Sequence, residues 1–368
     1  MCGAILIFLT IRLLMKGEIQ EAYQKTKNSK YILIFCGLST IVSVLYQNWI
    51  GAFCSVAIAF VLSFILYYRM HIDKKLFEFI TDVIVVLSFF AAIYGFIEYI
   101  GILEKFGYEQ FELIFFNKPK DRINSFYFNA NYYAMMIEFF VLITFYKLLQ
   151  IKHIWKNFQH VCKLLTIIGL NLLALMLTAC RTAWPALAAG ILVILILDKR
   201  YKTCTLIFFG FICAMIYFLA NPSQFPRVDN IISYFLTRTD IWDVAIANIK
   251  THPLFGEGPM TYMHIYQKYN GHPTQHAHSV YLDPLLCFGV VGLSTIVPYV
   301  YSNIKYLYRL WKTKVNKTLT ALIVSFTIVV LVHGTMDYTI FFVQTGVLYL
   351  IIASSFDIYK DDIKRYEN

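Results

Sequence analysis

The sequence predicts an all-α polytopic membrane protein, and composition, run length and charge placement each point that way. Of 368 residues, 59% are hydrophobic and 15% charged, with a mean hydropathy of +0.61. Soluble chains carry about 25% charged residues. A helix crosses a bilayer with about 17–25 mostly apolar residues. Eleven apolar stretches approach or meet that length: 2–15, 31–48, 50–68, 80–101, 131–149, 162–179, 183–198, 203–219, 281–303, 318–334 and 338–356. The first is short and carries Arg12. Alternating strands of about ten residues, the mark of a membrane barrel, do not occur.

Charge orders these stretches across the membrane. The connections that begin at Arg12–Lys30 and then alternate along the chain hold 23 of the 32 lysines and arginines. The opposite connections hold 9: four in 102–130, Arg181, and four in 220–280. That is the positive-inside bias. It expects a cytoplasmic C-terminus and places 220–280 outside. The net charge of +10 is therefore a topology signal, and nucleic acid is not an expected partner. Three regions follow: N-terminal membrane helices over 1–219, an extracytoplasmic loop over 220–280, and C-terminal membrane helices over 281–368.

The N-terminus has no basic stretch before its apolar run and no small-residue cleavage site, so no removable signal peptide is expected. The eight cysteines, at 2, 36, 54, 162, 180, 204, 213 and 287, lie in or beside apolar runs. They form no CxxC spacing and imply no disulfide framework.

Within 220–280, Asn221-Pro222 and Phe225-Pro226 mark the exit from the eighth run. Thr239 or Asp240 caps a predicted helix ending near Thr251. Its Ile241, Trp242, Ala245, Ile246 and Ile249 recur at helical spacing. Such an amphipathic helix suits the membrane surface, with Trp242 at the interface. Arg238 then sits just before the helix start, where free backbone N–H groups favour an anion. Gly256, Gly258 and Pro259 predict a tight turn.

Six positions carry candidate chemistry here and elsewhere. The run 162–198 is too long for one helix and must turn near Arg181, with Pro185 in the first turn of the next helix. Arginine near the membrane on the base-poor side suits an anionic ligand such as phosphate; snorkelling to the interface is the plain alternative. Arg122 precedes Asn129 and Asn131 at the start of the fifth run. Together with Arg238 these arginines offer the planar fork that matches phosphate oxygens. His278 is the candidate proton acceptor, since neutral imidazole near pH 7 takes a proton from a hydroxyl. His276 and Asp337 are candidates for orienting a partner or the acceptor. The spacing of His264, His272, His276 and His278 matches no established zinc pattern, so no metal is expected.

Several motifs resemble one family. His278-Ser279 followed after nine residues by Gly289-x-x-Gly292, the segment Leu177-Thr-Ala-Cys-Arg181-Thr-Ala-Trp184, Arg122 with Asn129 and Asn131, and Arg238-Thr-Asp-Ile-Trp242 leading to His252-Pro-Leu-Phe-Gly256-Glu-Gly258-Pro259 resemble the O-antigen ligase and Wzy-type polysaccharide polymerase family. The resemblance covers about residues 120–300. It departs in having eleven apolar runs where the family usually has twelve, and Ser279 where Asn is common.

The resemblance implies a glycosyltransferase of GT-C-like architecture in the bacterial cytoplasmic (inner) membrane, with its active site on the extracytoplasmic face. It implies an undecaprenyl-diphosphate-linked saccharide donor, a glycan or lipid acceptor, no cofactor, and an inverting, metal-independent reaction in O-antigen, capsule or exopolysaccharide assembly. On that reading His278 is catalytic and Arg122, Arg181 and Arg238 bind diphosphate. The rival is a polytopic transporter or flippase of lipid-linked saccharide. That function needs ionisable residues near mid-span and is often built from internal repeats. The runs look nearly free of such residues, and no repeat is evident.

Overall fold

In the computed structural model, residues 2–116, 119–222, 227 and 231–367 are described. Among them every regular element is helical. In chain order the helices are α1 (Cys2–Met15), α2 (Glu18–Lys25), α3 (Lys30–Leu45), α4 (Trp49–His71), α5 (Lys74–Lys105), α6 (Ala130–Gln150), α7 (Phe158–Leu177) and α8 (Ala183–Leu197). They continue with α9 (Tyr201–Ala220), α10 (Ile231–Thr251), α11 (Thr261–Ile265), α12 (Leu282–Thr313), α13 (Lys317–His333), α14 (Val343–Ser354) and α15 (Lys360–Glu367).

Each of the eleven apolar stretches contains a helix, but the helices differ in reach. Six of the described helices, α4, α5, α6, α7, α9 and α12, are long and apolar enough to cross a membrane. A seventh is counted if α2 and α3, bent by 112°, form one broken span. Helices α1, α8 and α13 are shorter apolar helices, and α14 has only 12 residues. At 1.5 Å per residue, α14 extends about 18 Å, short of the ~30 Å hydrocarbon core. The expected Phe225-Pro226 turn lies outside the described residues.

The chain divides into two compact units: Met1–Asp73 with Tyr234–Val315 and Gly334–Asn368, and Lys74–Ser233 with Asn316–His333. In the second unit α6 is the most enclosed helix: 83% of its apolar window is buried. Asn129 caps it, accepting from the Asn131 backbone N–H at 2.8 Å. Phe139 stacks on Phe326 of α13 at 4.4 Å. Helices α8 and α13 approach closely at Gly190, where an added Cβ would lie 2.7 Å from Val329. There Ser325 Oγ donates to the Gly190 carbonyl at 2.7 Å. Small residues that let helix backbones approach are a usual device of membrane packing. Deep in the same unit, His333 Nδ1 meets Glu138 Oε1 at 2.8 Å, and both side chains are fully buried. The apolar runs are therefore less free of ionisable groups than the sequence suggests.

In the first unit the segment after α10 locks onto α12. The helix is broken at Gly289, whose φ of 61° and ψ of −179° lie in a region essentially reserved for glycine. The break strands two N–H groups of the following turn. Val290 N donates to the Pro253 carbonyl at 2.9 Å and Val291 N to the Leu254 carbonyl at 2.8 Å. In return Gly258 N donates to the Cys287 carbonyl at 2.8 Å. Close approach requires both glycines: a Cβ on Gly256 would lie 2.5 Å from the Cys287 carbonyl, and one on Gly289 would lie 2.4 Å from that of Leu254. Asn48, the cap of α4, holds the far side of the turn by donating to the Pro259 carbonyl at 2.8 Å.

Two expectations about 220–280 are corrected. Helix α10 begins at Ile231, not at Thr239 or Asp240, because no breaker interrupts residues 231–251 and Ile231–Leu236 extend the apolar face. Its Ile241 and Ala245 are fully buried against Tyr262, Ala277 and Leu286, with Trp242 packed on the same cluster. That part of the apolar face meets protein, while Ile231, Ile232, Phe235, Leu236 and Ile246 are exposed. Arg238 consequently lies in the second turn of α10. The backbone N–H groups beside it are inside the helix, so the helix-start anion site does not form there.

Candidate active site

The loop between α11 and α12 delivers two histidines to one carboxylate. Asp283, in the first turn of α12, accepts from the Ala277 N–H at 2.7 Å. Ser279 Oγ accepts from the Tyr281 and Leu282 N–H groups, both at 3.3 Å, at the start of α12. The Val280 N–H donates to the Gly334 carbonyl at 2.8 Å, tying this loop to the 334–338 turn. These ties hold His278 at a φ of 48°. That left-handed conformation is uncommon for a residue with a Cβ and clusters at functional sites.

His278 Nδ1 meets Asp337 Oδ1 at 2.7 Å, and the same oxygen accepts from the Tyr338 N–H at 2.8 Å. An ionised carboxylate only accepts, so Nδ1 donates to it, and in the neutral form of that imidazole the lone pair stands at Nε2. That Nε2 lies 2.9 Å from the Thr274 hydroxyl, a donor standing where another hydroxyl could donate. His276 packs edge-on to His278 with ring centroids 4.3 Å apart, and its Nδ1 accepts from the His278 N–H at 3.3 Å.

Electrostatics separates the three groups. Burial, reinforced by the His278 ring, pushes the His276 imidazole down to about 4, with Arg238 adding to the push. Burial raises Asp337, but His278 outweighs it, helped by His276 and Arg238, and the carboxyl stays well below its usual range. At neutral pH the site therefore holds a neutral His276 and an ionised Asp337. The Arg238 charge is felt by both groups. Ligand-type atoms of His276, His278 and Asp337 all lie within 4.8 Å of one another, a spacing that admits a metal ion. The remaining loop histidines stand apart: His264 and His272 are exposed, and His252 pairs with Glu257 at 2.9 Å beside the α12 clasp.

Arg122 and Arg181 belong to the other unit, where the turn between α7 and α8 joins them. Arg122 is buried; its Nε donates to the Thr178 carbonyl at 2.5 Å and its Nη2 to Asn131 Oδ1 at 2.7 Å. Three residues beyond Thr178, the half-buried Arg181 donates from Nη1 to the Arg227 carbonyl at 3.1 Å. Pro185 stands in the first turn of α8, as the sequence predicts. Under this turn Cys180 Sγ lies 4.0 Å from His333 Nε2, so the Glu138–His333 pair underpins it.

Sequence reasoning missed Asp283, Thr274 and the Glu138–His333 pair. Asp283 is signalled only by an acid at the start of an apolar helix, and Glu138 by a lone acid within an apolar run. Thr274 carries no signal at all.

Residues 166–297 match the model of the O-antigen ligase family. That match covers about a third of the chain. The match includes Arg181, Arg238, His278 and both glycines of the α12 motif; Arg122 and Asp337 lie outside it. A comparison with curated proteins finds no match. The match and the apolar helices support a membrane protein of O-antigen ligase or polymerase type. They also suggest the bacterial inner membrane as its setting.

Proposed function

We propose that the protein is an inverting membrane glycosyltransferase that moves a glycan from undecaprenyl diphosphate to an acceptor hydroxyl. The observation that carries this reading is the His278–Asp337 pair, which leaves Nε2 facing a hydroxyl. In the proposed step the acceptor O–H gives its proton to His278 Nε2 as its oxygen attacks the anomeric carbon. The bond from that carbon to the diphosphate oxygen breaks, and the diphosphate leaves with the electron pair. Asp337 keeps the imidazole in the receptive tautomer and stabilises its charge once protonated, the role of the acid in a hydrolase triad. Arg122, Arg181 and Arg238 are assigned to the diphosphate, whose growing charge guanidinium groups stabilise without a metal. The neutral His276 is assigned to orienting His278 and the acceptor. The region boundaries at 219 and 280, and an extracytoplasmic site, belong to the same proposal.

Lipid-linked saccharides extracted from a deletion strain test the class of activity. Unpolymerised or untransferred units on the outer face, restored by the wild-type gene, support transfer; trapping on the inner face supports the flippase. The gel profile of surface polysaccharide then separates two acceptors: single-repeat products mark a polymerase, and long donor-linked chains a ligase. A metal-assisted reaction is the second reading, favoured by the His276–His278–Asp337 spacing. Transfer that is abolished by a chelator and restored by a divalent cation would establish it; full activity in the chelator supports the acid–base route.

A further inference from the structure

The first unit contains a second polar site, remote from His278. A cavity of about 300 Å³ is bordered by Lys25, Lys27, Arg69, Lys305, Arg309 and Lys360. Ligand clefts measure about 300–1,000 Å³, so this one suits a compact group and not a whole saccharide. Four segments distant in sequence build it: the α2–α3 connection, the end of α4, the C-terminal half of α12, and the residues that follow α14. It begins some twenty residues along α12 from the histidine end, about 30 Å at 1.5 Å per residue.

Its charge is one-sided. Asp357 is the one carboxylate among the described lining residues. Arg69 holds it at 2.6 Å, and both side chains are nearly buried. Arg69 is itself braced by Tyr299 and by Asn303 Oδ1 at 3.1 and 2.9 Å. The buried pair thus forms a neutral floor. Lys27, Lys305 and Lys360, all exposed, stand around it and make no ion pair among the described residues. Asn28 donates to Ser302 Oγ at 2.7 Å and to the Pro298 carbonyl at 3.0 Å, fixing one wall.

Basic residues at this end follow the positive-inside bias, but topological anchors need only face the cytoplasm. They need not converge on a concave site over a buried Arg69–Asp357 pair. We propose that this cavity binds a phosphate-bearing anion, with the lysines as point charges and the Thr26 hydroxyl and Asn303 amide N–H completing the contacts. An anionic phospholipid headgroup and a soluble phosphate compound share that chemistry.

The test uses the purified full-length protein in detergent, with short-chain phosphatidylglycerol and inorganic pyrophosphate as probes and thermal stabilisation as readout. Stabilisation by the lipid alone identifies a headgroup site; stabilisation by pyrophosphate as well identifies a soluble ligand. Neutralising three lysines, as Lys27→Gln, Lys305→Gln and Lys360→Gln together, weakens binding about a hundredfold. Ser302→Trp, which fills the cavity and leaves the charge in place, also abolishes stabilisation. The control Lys152→Gln, Lys156→Gln and Lys163→Gln keeps it. No stabilisation of the wild type by either probe overturns the proposal. So does retained binding in Ser302→Trp or in the triple variant, or equal loss in the control.

Discussion

Replacing Gly289 by alanine isolates the clasp that carries the histidine loop. The new Cβ would sit 2.4 Å from the Leu254 carbonyl, and backbone cannot swing aside as a flexible side chain does. The φ of 61° with ψ of −179° itself costs a residue other than glycine about 1–3 kcal/mol. If residues 253–255 retreat, Val290 and Val291 lose their carbonyl acceptors, and each stranded N–H costs about 1–3 kcal/mol. The sum, about 3–9 kcal/mol, is a large share of the ~5–15 kcal/mol that keeps a domain folded. Gly292→Ala is the matched control. Its Cβ would find only Phe288 Cβ at 3.2 Å, and its φ is not in the positive range. Thermal unfolding of both variants in detergent, followed by size-exclusion chromatography, supplies the assay. Gly289→Ala should unfold at least several degrees lower than wild type and lose transfer, because the start of α12 carries Asp283, which anchors Ala277. Gly292→Ala should stay close to wild type. An unchanged midpoint and full transfer in Gly289→Ala would refute the clasp.

Other expected outcomes follow from the same geometry. Asp337→Asn keeps the shape but removes a charge-assisted bond of about 1.5–3 kcal/mol, so transfer should fall about 10–100-fold with little change in expression; an unchanged rate removes Asp337 from the reaction. Arg181→Lys keeps the charge but loses the fork and should lower transfer about tenfold, whereas full activity returns Arg181 to interface snorkelling. Arg122→Lys should lower the unfolding midpoint as well as transfer, since Arg122 also ties Thr178 to Asn131; a normal midpoint contradicts that bracing. His276 gives a pH signature. Its native value of about 4 lies below the usual ~6.5, so the unfolded chain binds the extra proton between those values. Stability from this group is full above pH ~6.5, falls as pH drops to about 4, and is then constant, a loss of roughly 3 kcal/mol. His276→Gln should flatten that slope in thermal unfolding from pH 4 to 7; an unaltered slope contradicts the buried neutral imidazole.

The parts legible in the sequence were those set by local pattern. Apolar runs marked each long helix except α10, of which only the second half was expected, and Pro185 marked the α7–α8 turn. The glycines at 256, 258 and 289 announced unusual backbone, but nothing local revealed that they close on one another across more than thirty residues. For α10 the apolar spacing was readable and its burial partner was not: Ile241 and Ala245 meet Tyr262, Ala277 and Leu286, and such a face reads the same whether protein or lipid covers it. Asp337 stood out as a lone acid in a turn, while its pairing with His278 depends on contact across 59 residues. Asp283 and Glu138 were hidden because an acid inside an apolar run gives no hint of the N–H or imidazole that satisfies it.

The most direct measurement is single-turnover transfer by purified His278→Ala and His278→Gln, with a defined undecaprenyl-diphosphate donor and excess acceptor. The account predicts that both variants retain the wild-type unfolding midpoint and donor binding but lose transfer by about 100-fold or more. Transfer at near the wild-type rate in either folded variant would contradict a proton-accepting His278.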